Sequence, residues 1–305
     1  VILVLTPNPA VDVTYTVGHQ LIGETQRVLD VAKRPGGKGL NVARVLHLLG
    51  RETLALSPLG GDGGRWIESE LEASGIANTS SLISAPTRTT VTVVDADQHP
   101  TVFAEPGPTI SPTEWEDYRG LVREHLPAAD LVVVSGSLPA TADSELVAEW
   151  VADAHARGVP ILVDVSGPPL LAAARAGADI VKPNAAELRE ATGNDDESVA
   201  AHVLLDLGAG LVIVSRGADG LTAYSTTEVT TVEAVPGVAG NPTGAGDAAT
   251  AGTAVGFVDG IATVDLLRLA SALGAAAVLR PTAGDIDLDA YPKFIAHLEL
   301  SGAKT

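Results

Sequence analysis

From position 112 onward, short apolar runs alternate with helical segments, and that alternation leaves few folds open. Pro112 to Leu126 has helical spacing, and Leu131-Val-Val-Val134 is a continuous apolar run. Ser144 to Ala156, Pro169 to Ala176 and Val199 to Leu207 are helical, and the runs Ile161 to Asp164, Asp179 to Lys182 and Leu211 to Ser215 lie between them. A run apolar at every position suits a strand buried on both faces. Repeated strand–helix units close into a parallel sheet with helices on both sides, joined by right-handed crossovers. The run Val1 to Leu5 fits the same sheet. In such sheets ligands bind at the carboxyl ends of the strands. That rule gathers Asn8, Asp12, Ser137, Asp164, Lys182, Asn184 and Ser215 onto one edge.

The first hundred residues read differently. Thr53 to Pro58 is a strand and Arg65 to Ala73 a helix, but four β-rich segments lack helices between them. These are Val11 to Val17, Gln26 to Ala32, Thr87 to Val94 and Thr101 to Ala104, the last two joined by a turn at Asp95 to Gln98. We expect a separate small sheet covering one edge of the main body. The whole, residues 1–305, reads as one domain, with lid strands from about 11–34 and 86–104. Leu221 to Tyr224 and Glu228 to Val235 look like a closing β pair. Two alanine-rich helices and a last helix near Asp289 to Leu298 complete the chain.

Between the β pair and the alanine-rich helices stands Asn241-Pro-Thr-Gly-Ala-Gly-Asp247. A glycine turn that opens a helix leaves backbone N–H groups without partners, and the helix dipole adds positive charge there. Together they make an anion site. A carboxylate in the first turn could take a proton from a hydroxyl that attacks a phosphoryl group. On these residues alone, a helix cap with an acidic first-turn residue is an equal reading. A second glycine turn, Arg34-Pro-Gly-Gly-Lys-Gly-Leu-Asn41, also opens a helix, and Gly50 stops it. It is no P-loop, since serine or threonine is missing after Gly-Lys.

Other chemistries are disfavoured. No GxGxxG follows the first strand, which argues against a nicotinamide enzyme. There is no cysteine, hence no thiolate metal site or thiol nucleophile. The seven histidines show no ligand spacing, and no nucleophile elbow points to a hydrolase. The net charge of −19 opposes nucleic-acid and anionic-membrane partners. Lysine is confined to Lys33, Lys38, Lys182, Lys293 and Lys304, and two of these flank the second glycine turn. No apolar run nears the roughly 20 residues that span a bilayer. A cytoplasmic enzyme is the expectation.

Taken in order, the punctuation resembles the ribokinase-like (PfkB) carbohydrate kinase family. The matching stretches are Thr6-Pro-Asn-Pro-Ala-Val-Asp12, Gly36-Gly-Lys-Gly-Leu-Asn-Val-Ala-Arg44 and Ser135-Gly-Ser-Leu-Pro139. Lys182-Pro-Asn-Ala-Ala-Glu187, Ser215-Arg-Gly-Ala-Asp-Gly220 and Gly244-Ala-Gly-Asp247 follow. Within the family the chain is most similar to the branch of 1-phosphofructokinase, tagatose-6-phosphate kinase and the minor 6-phosphofructokinase. Glu105-Pro-Gly-Pro108 and Asn241-Pro242 lean toward the tagatose-6-phosphate kinase side.

The resemblance implies an α/β, ribokinase-like fold, with a mostly parallel central sheet, helices on both faces and a small β-sheet lid. It implies Asp247 as general base, with Gly244, Ala245 and Gly246 offering N–H groups to the moving phosphoryl. Asp12, Gly36, Gly37, Asn41 and Ser137 would meet the sugar. Lys38 and Arg88 would take the sugar's own phosphate. Lys182, Asn184, Ser215, Gly217 and Gly220 would meet the nucleotide. Glu187 and Asn184 would hold Mg2+ through its water shell. ATP is the implied co-substrate, and the implied acceptor a ketohexose monophosphate, tagatose 6-phosphate or fructose 1-phosphate. A homodimer through the lid is implied too. The chain departs from the pattern at Ala248, usually serine, at Arg216, often leucine, and at Thr25, a phosphate-binding lysine in some 6-phosphofructokinases. Three readings remain beside this one: a 6-phosphofructokinase, a kinase of an unphosphorylated sugar, and a non-catalytic sugar-phosphate or nucleotide sensor.

Overall fold

In the computed structural model, residues 1–95 and 100–301 are described. The chain opens with β1 (Ile2–Leu5), then β2 (Ala10–Thr16) and β3 (Asp30–Gly36), before α1 (Lys38–Leu48). Next come β4 (Thr53–Leu59), α2 (Gly61–Ala73), β5 (Asn78–Leu82), β6 (Arg88–Val94) and β7 (Pro100–Ala104). The alternating part runs α3 (Pro112–His125), β8 (Leu131–Ser135), α4 (Glu145–His155), β9 (Ile161–Asp164), α5 (Pro168–Arg175), β10 (Ile180–Val181). It continues α6 (Ala185–Thr192), α7 (Glu197–Leu207), β11 (Leu211–Ser215), β12 (Leu221–Tyr224), β13 (Val229–Val232). The last helices are α8 (Ala245–Val258), α9 (Thr263–Val278) and α10 (Tyr291–Ser301).

Nine strands form the larger sheet, in the order β13-β12-β11-β10-β9-β8-β1-β4-β5. It is parallel from β5 to β11, and β12 and β13 close it antiparallel. Its apolar runs are continuous because both faces are covered. Ile2 and Val4 of β1 and Leu131 and Val133 of β8 pack on the side of α1, α8 and α9. Leu3, Leu5, Val132 and Val134 pack against α3, α4 and α7 on the other. Alternate side chains of a strand point to opposite faces, so both sets are core. After β1 the chain builds outward through β4 and β5, and later the other way from β8. The β1/β8 boundary is therefore the topological switch point, where α/β sheets open a crevice.

The four remaining strands form a second sheet, β3-β2-β6-β7, as the sequence leads one to expect. Two boundaries differ. The strand expected over 26–32 runs instead over Asp30–Gly36, because β2 pairs with it from Thr16↔Asp30 to Ala10↔Gly36. The first residues of the glycine turn thus belong to a strand, and Pro35 is tolerated there because β3 is an edge. β5 is an additional strand, whose Asn78-Thr-Ser-Ser pattern is polar because it forms the sheet edge. Of the turn expected at 95–98, only Asp95 lies within the described residues. Among those residues no helix is long and apolar enough to cross a membrane.

Candidate active site at the carboxyl edge of the sheet

Two helix N-termini meet beyond the carboxyl ends of the parallel strands. α1 starts after Gly37 and α8 after Gly244, and neither has a side-chain cap. Gly244 holds φ +88, and a Cβ there would lie 2.7 Å from the Ala283 Cα, so the turn needs glycine on both counts. The two helices line a cleft of about 370 Å³ together with Asp164, Lys182, Asn184, Glu187 and Ser215 from the strand ends. From the lid side, Asp12 and Arg88 line it too.

Asp247 stands in the first turn of α8 and is only 7% exposed. It accepts a 2.9 Å hydrogen bond from Asn41 Nδ2 of α1. Burial raises its pKa most, and the Asp164 carboxylate raises it further. Asn41, Lys38 and Lys182 pull the other way, and the result is about 7. A carboxylate titrating near neutrality suits a general base. The small residues of α8 let it lie this deep: a Cβ on Gly252 would come 2.8 Å from the Ala270 Cα of α9.

Asp164 is the centre of a buried charge cluster. It accepts from Thr250 Oγ1 at 2.6 Å. Lys182 Nζ lies 3.5 Å away and Lys38 Nζ 3.7 Å. Burial alone would raise the Asp164 pKa, but Lys182, Lys38 and the Thr250 hydroxyl together lower it. Lys38 also reaches Glu187 Oε1 at 3.3 Å. Its pKa goes up, chiefly through Asp164, against the opposing effect of its own burial, with Glu187 and Asp247 adding to the rise.

The lid wall has its own arrangement. Arg88 donates to the Asn8 carbonyl and to the Glu105 carbonyl, both at 3.2 Å. Asp12 lies within its field, and burial raises the Asp12 pKa although Arg88, Thr90 and Arg44 lower it. A Cβ on Gly36 would fall 2.0 Å from the Asp12 carboxylate, so glycine at 36 makes room for Asp12. Asn8 Nδ2 donates to Ser137 Oγ at 3.3 Å across the switch point.

The residues the sequence singles out are thus largely together, with exceptions. Asp247, Gly244, Gly246, Asp12, Gly37, Lys38, Asn41, Arg88, Lys182, Asn184, Ser215 and Glu187 line the cleft. Ala245 does not line it, and its N–H donates to the Pro242 carbonyl at 3.2 Å, which closes the turn. Gly220 does not line it either: a Cβ there would meet the Val232 carbonyl at 2.1 Å, so packing on β13 accounts for the glycine. Gly217 sits in the same short turn at φ +57, away from the cleft lining. Lys38 and Arg88, expected as a pair, line the same cleft but have different partners: Lys38 meets Glu187 and Asp164, and Arg88 the Asn8 and Glu105 carbonyls. Asp164 has a larger part than its sequence position announces, although a charge ending an apolar run is a readable signal. Thr250, one of two threonines in an alanine-rich helix, carries no such signal.

Asn184 and Glu187 form a capping box: Glu187 N–H donates to Asn184 Oδ1 and Asn184 N–H to Glu187 Oε2, each at 2.9 Å. With Lys38 on its other oxygen, the Glu187 carboxylate keeps lone pairs free, since two oxygens offer about four acceptor sites. Among the described residues no group of three or more His, Cys, Asp or Glu could grip a metal directly. This donor set fits an ion that keeps its waters, as magnesium does.

Residues 8–290 match the pfkB family carbohydrate kinases. The chain is 30% identical to a tagatose-6-phosphate kinase of Staphylococcus epidermidis, over 98% of its own length and 99% of that protein. Phosphofructokinase-2 of Escherichia coli, in its complex with fructose-6-phosphate, superposes with a TM-score of 0.89 at 28% identity, covering 98% of this chain and 99% of that one. The ribokinase of Arabidopsis thaliana, solved with ribose and ATP, shares the fold with a TM-score of 0.75 at 22% identity, covering 96% and 98%.

Proposed function

The chain belongs to the pfkB family of carbohydrate kinases and is an ATP-dependent sugar-phosphate kinase, and within that class we propose its reaction. It transfers the γ-phosphoryl of ATP to a primary hydroxyl of a ketohexose monophosphate, tagatose 6-phosphate or fructose 1-phosphate. The product is a 1,6-bisphosphate. One observation carries the reading: a buried carboxylate titrating near 7 stands at an uncapped helix N-terminus, in a cleft that Arg88 also lines. The tagatose-6-phosphate kinase relative supports the same substrate class.

Asp247 takes the proton of the acceptor hydroxyl. The hydroxyl oxygen forms its bond to phosphorus as the bond to ADP breaks, so negative charge moves to ADP. N–H groups of the first turn of α8, Gly246 among them, face the phosphoryl oxygens. Donors fixed in advance toward developing charge lower the barrier without reorganisation. Asp12 and Asn41 hold sugar hydroxyls, and Arg88 takes the sugar's phosphate with its planar fork. Asn184, Ser215 and Lys182 form the nucleotide side. Asn184 and Glu187 would hold a hydrated Mg2+, which would offset polyphosphate charge.

The lid completes one kinase domain and pairs two chains as a homodimer. All five residues of β7 are exposed, and so are Ile22, Leu29 and Val31. An apolar sheet edge of that kind is a pairing surface. Phosphofructokinase-2 of Escherichia coli has been solved as an inhibited tetramer, which is consistent with self-association in this family. The test is ADP release over tagatose 6-phosphate, fructose 1-phosphate, fructose 6-phosphate and free ketohexoses. Turnover should be strongest with one of the first two. Binding of a sugar phosphate with no ADP released would replace the kinase by a sensor.

A further inference from the structure

The two cations expected to share the sugar's phosphate have different partners, and those of Lys38 point to a different task. Lys38 is the first residue of α1. Its stem lies against the end of β8, where a Cβ added to Gly136 would stand 3.6 Å from the Lys38 Cβ. Its ammonium meets Glu187 of α6 at 3.3 Å and Asp164 of β9 at 3.7 Å. The Asp247 carboxylate of α8 also acts on it. The other lysine of the cluster, Lys182, has a side chain 3% exposed beside Asp164; that of Lys38 is 41% exposed and lines the cleft.

We propose that Lys38 is a catalytic cation that meets the phosphoryl group during transfer, rather than a ligand of the acceptor's own phosphate. This rests on the kinase reading above. The position is shared by the base, Asp247, and by Glu187 of the nucleotide side, and a group passing between those two sides must pass it. Its two ion pairs come from separate elements, so the charge is held in place before substrate arrives. Asp164 acts as a positioning residue for both lysines. When Asp247 takes the acceptor's proton it loses the charge that attracted Lys38, and the phosphoryl oxygens replace it. Lys38 itself gives up no proton: one O–P bond forms, the O–P bond to ADP breaks, and the acceptor's proton ends on Asp247.

Lys38→Met, which keeps the stem and removes the charge, separates the two tasks. Initial rates are measured with the best ketohexose phosphate, with the unphosphorylated ketohexose, and with water as acceptor (slow ATP hydrolysis). A transfer cation predicts a kcat lower by about 10²- to 10³-fold, by a similar factor for all three acceptors, with KM for the sugar phosphate within about threefold of wild type. Arg88→Ala should instead raise KM for the phosphorylated sugar alone. A Lys38→Met enzyme with normal kcat, raised KM for the sugar phosphate and unchanged rates with the other acceptors overturns the assignment. If Lys38→Met does not fold, Lys38→Arg decides: reduced kcat at unchanged KM supports the proposal, and normal kcat with raised KM refutes it. Wild-type protein that turns over no ketohexose phosphate would overturn the kinase reading itself, which is a distinct result.

Discussion

Asn41 Nδ2 donates a 2.9 Å hydrogen bond to Asp247 Oδ2, tying the first turns of α1 and α8 together across 206 residues of chain. The bond fixes a carboxylate that combines deep burial, a pKa near neutrality and a glycine-opened helix. Asp247→Asn keeps shape and can still accept from Asn41, but its amide cannot take a proton. Turnover should fall by at least about 10²-fold, the usual scale for a general base, while calorimetric ATP binding stays near wild type. Near-normal turnover would sink the mechanism.

The same bond and the Asp164 charge set opposing pulls on that pKa. The base must be ionised, so kcat/KM should rise with pH and level off above about 7. Asp164→Asn removes a carboxylate that raises the Asp247 pKa, and the acid limb should move down by roughly one unit. Asn41→Leu removes a bond that lowers it, so that limb should move up. Limbs that move together, or not at all, would exclude this electrostatic account.

Stability should follow with the opposite sign. Asp247 has a folded pKa of about 7 against an ordinary aspartate value of 3.8, so the folded state binds the proton more tightly. Below the lower value both states are protonated and the group is neutral to stability. Between the two, the unfolded chain gains by ionising, so this group's contribution falls as pH rises from about 4 to about 7, then stays flat. Wild type compared with Asp247→Asn in thermal melts across that range isolates the effect. A difference that does not change with pH would contradict it.

Gly244→Ala tests the turn without touching a charged group. The new Cβ meets backbone and Cβ of Ala283 at 2.7 and 2.8 Å, and the position has positive φ. Neither neighbour is the free end of a flexible side chain, so the turn must shift. A loss of about 1–3 kcal/mol in denaturant unfolding is expected, with a larger proportional loss in kcat than in ATP affinity. Unchanged stability and turnover would show that the turn tolerates the side chain.

What the sequence makes legible follows from burial and from pattern. β1, β8 and β11 are readable because two covered faces demand unbroken apolar runs. β5 is not, because an edge strand is free to carry Thr79 and Ser80. β3 is displaced in a sequence reading because Val28 and Leu29 look like strand residues yet are exposed and precede it. Asp247 is readable from the glycines around it. The company of Lys38 is not, since its partners Asp164 and Glu187 come from β9 and α6, and only the closed sheet brings those ends together. Local chemistry is written locally, whereas charge clusters between elements are decided by topology.

The lid offers the last test. Phe103 is 61% exposed, and Val102 beside it is exposed on the same edge strand. Ile22, at 104%, stands fully in solvent in a single chain. A second lid wrapped around this edge would cover side chains on both faces of β7 and satisfy an open strand edge. Aspartate there would instead bury a charge in the pair, which an apolar interface rejects. Wild type should therefore run as a dimer in light-scattering chromatography, and Val102→Asp with Phe103→Asp as a monomer of unchanged circular dichroism. β7 pairs with β6, whose first residue is Arg88. The monomer should accordingly show a raised KM for the sugar phosphate, with ATP binding intact. A wild-type protein that is monomeric at assay concentration, with full activity, would remove the dimer from this account.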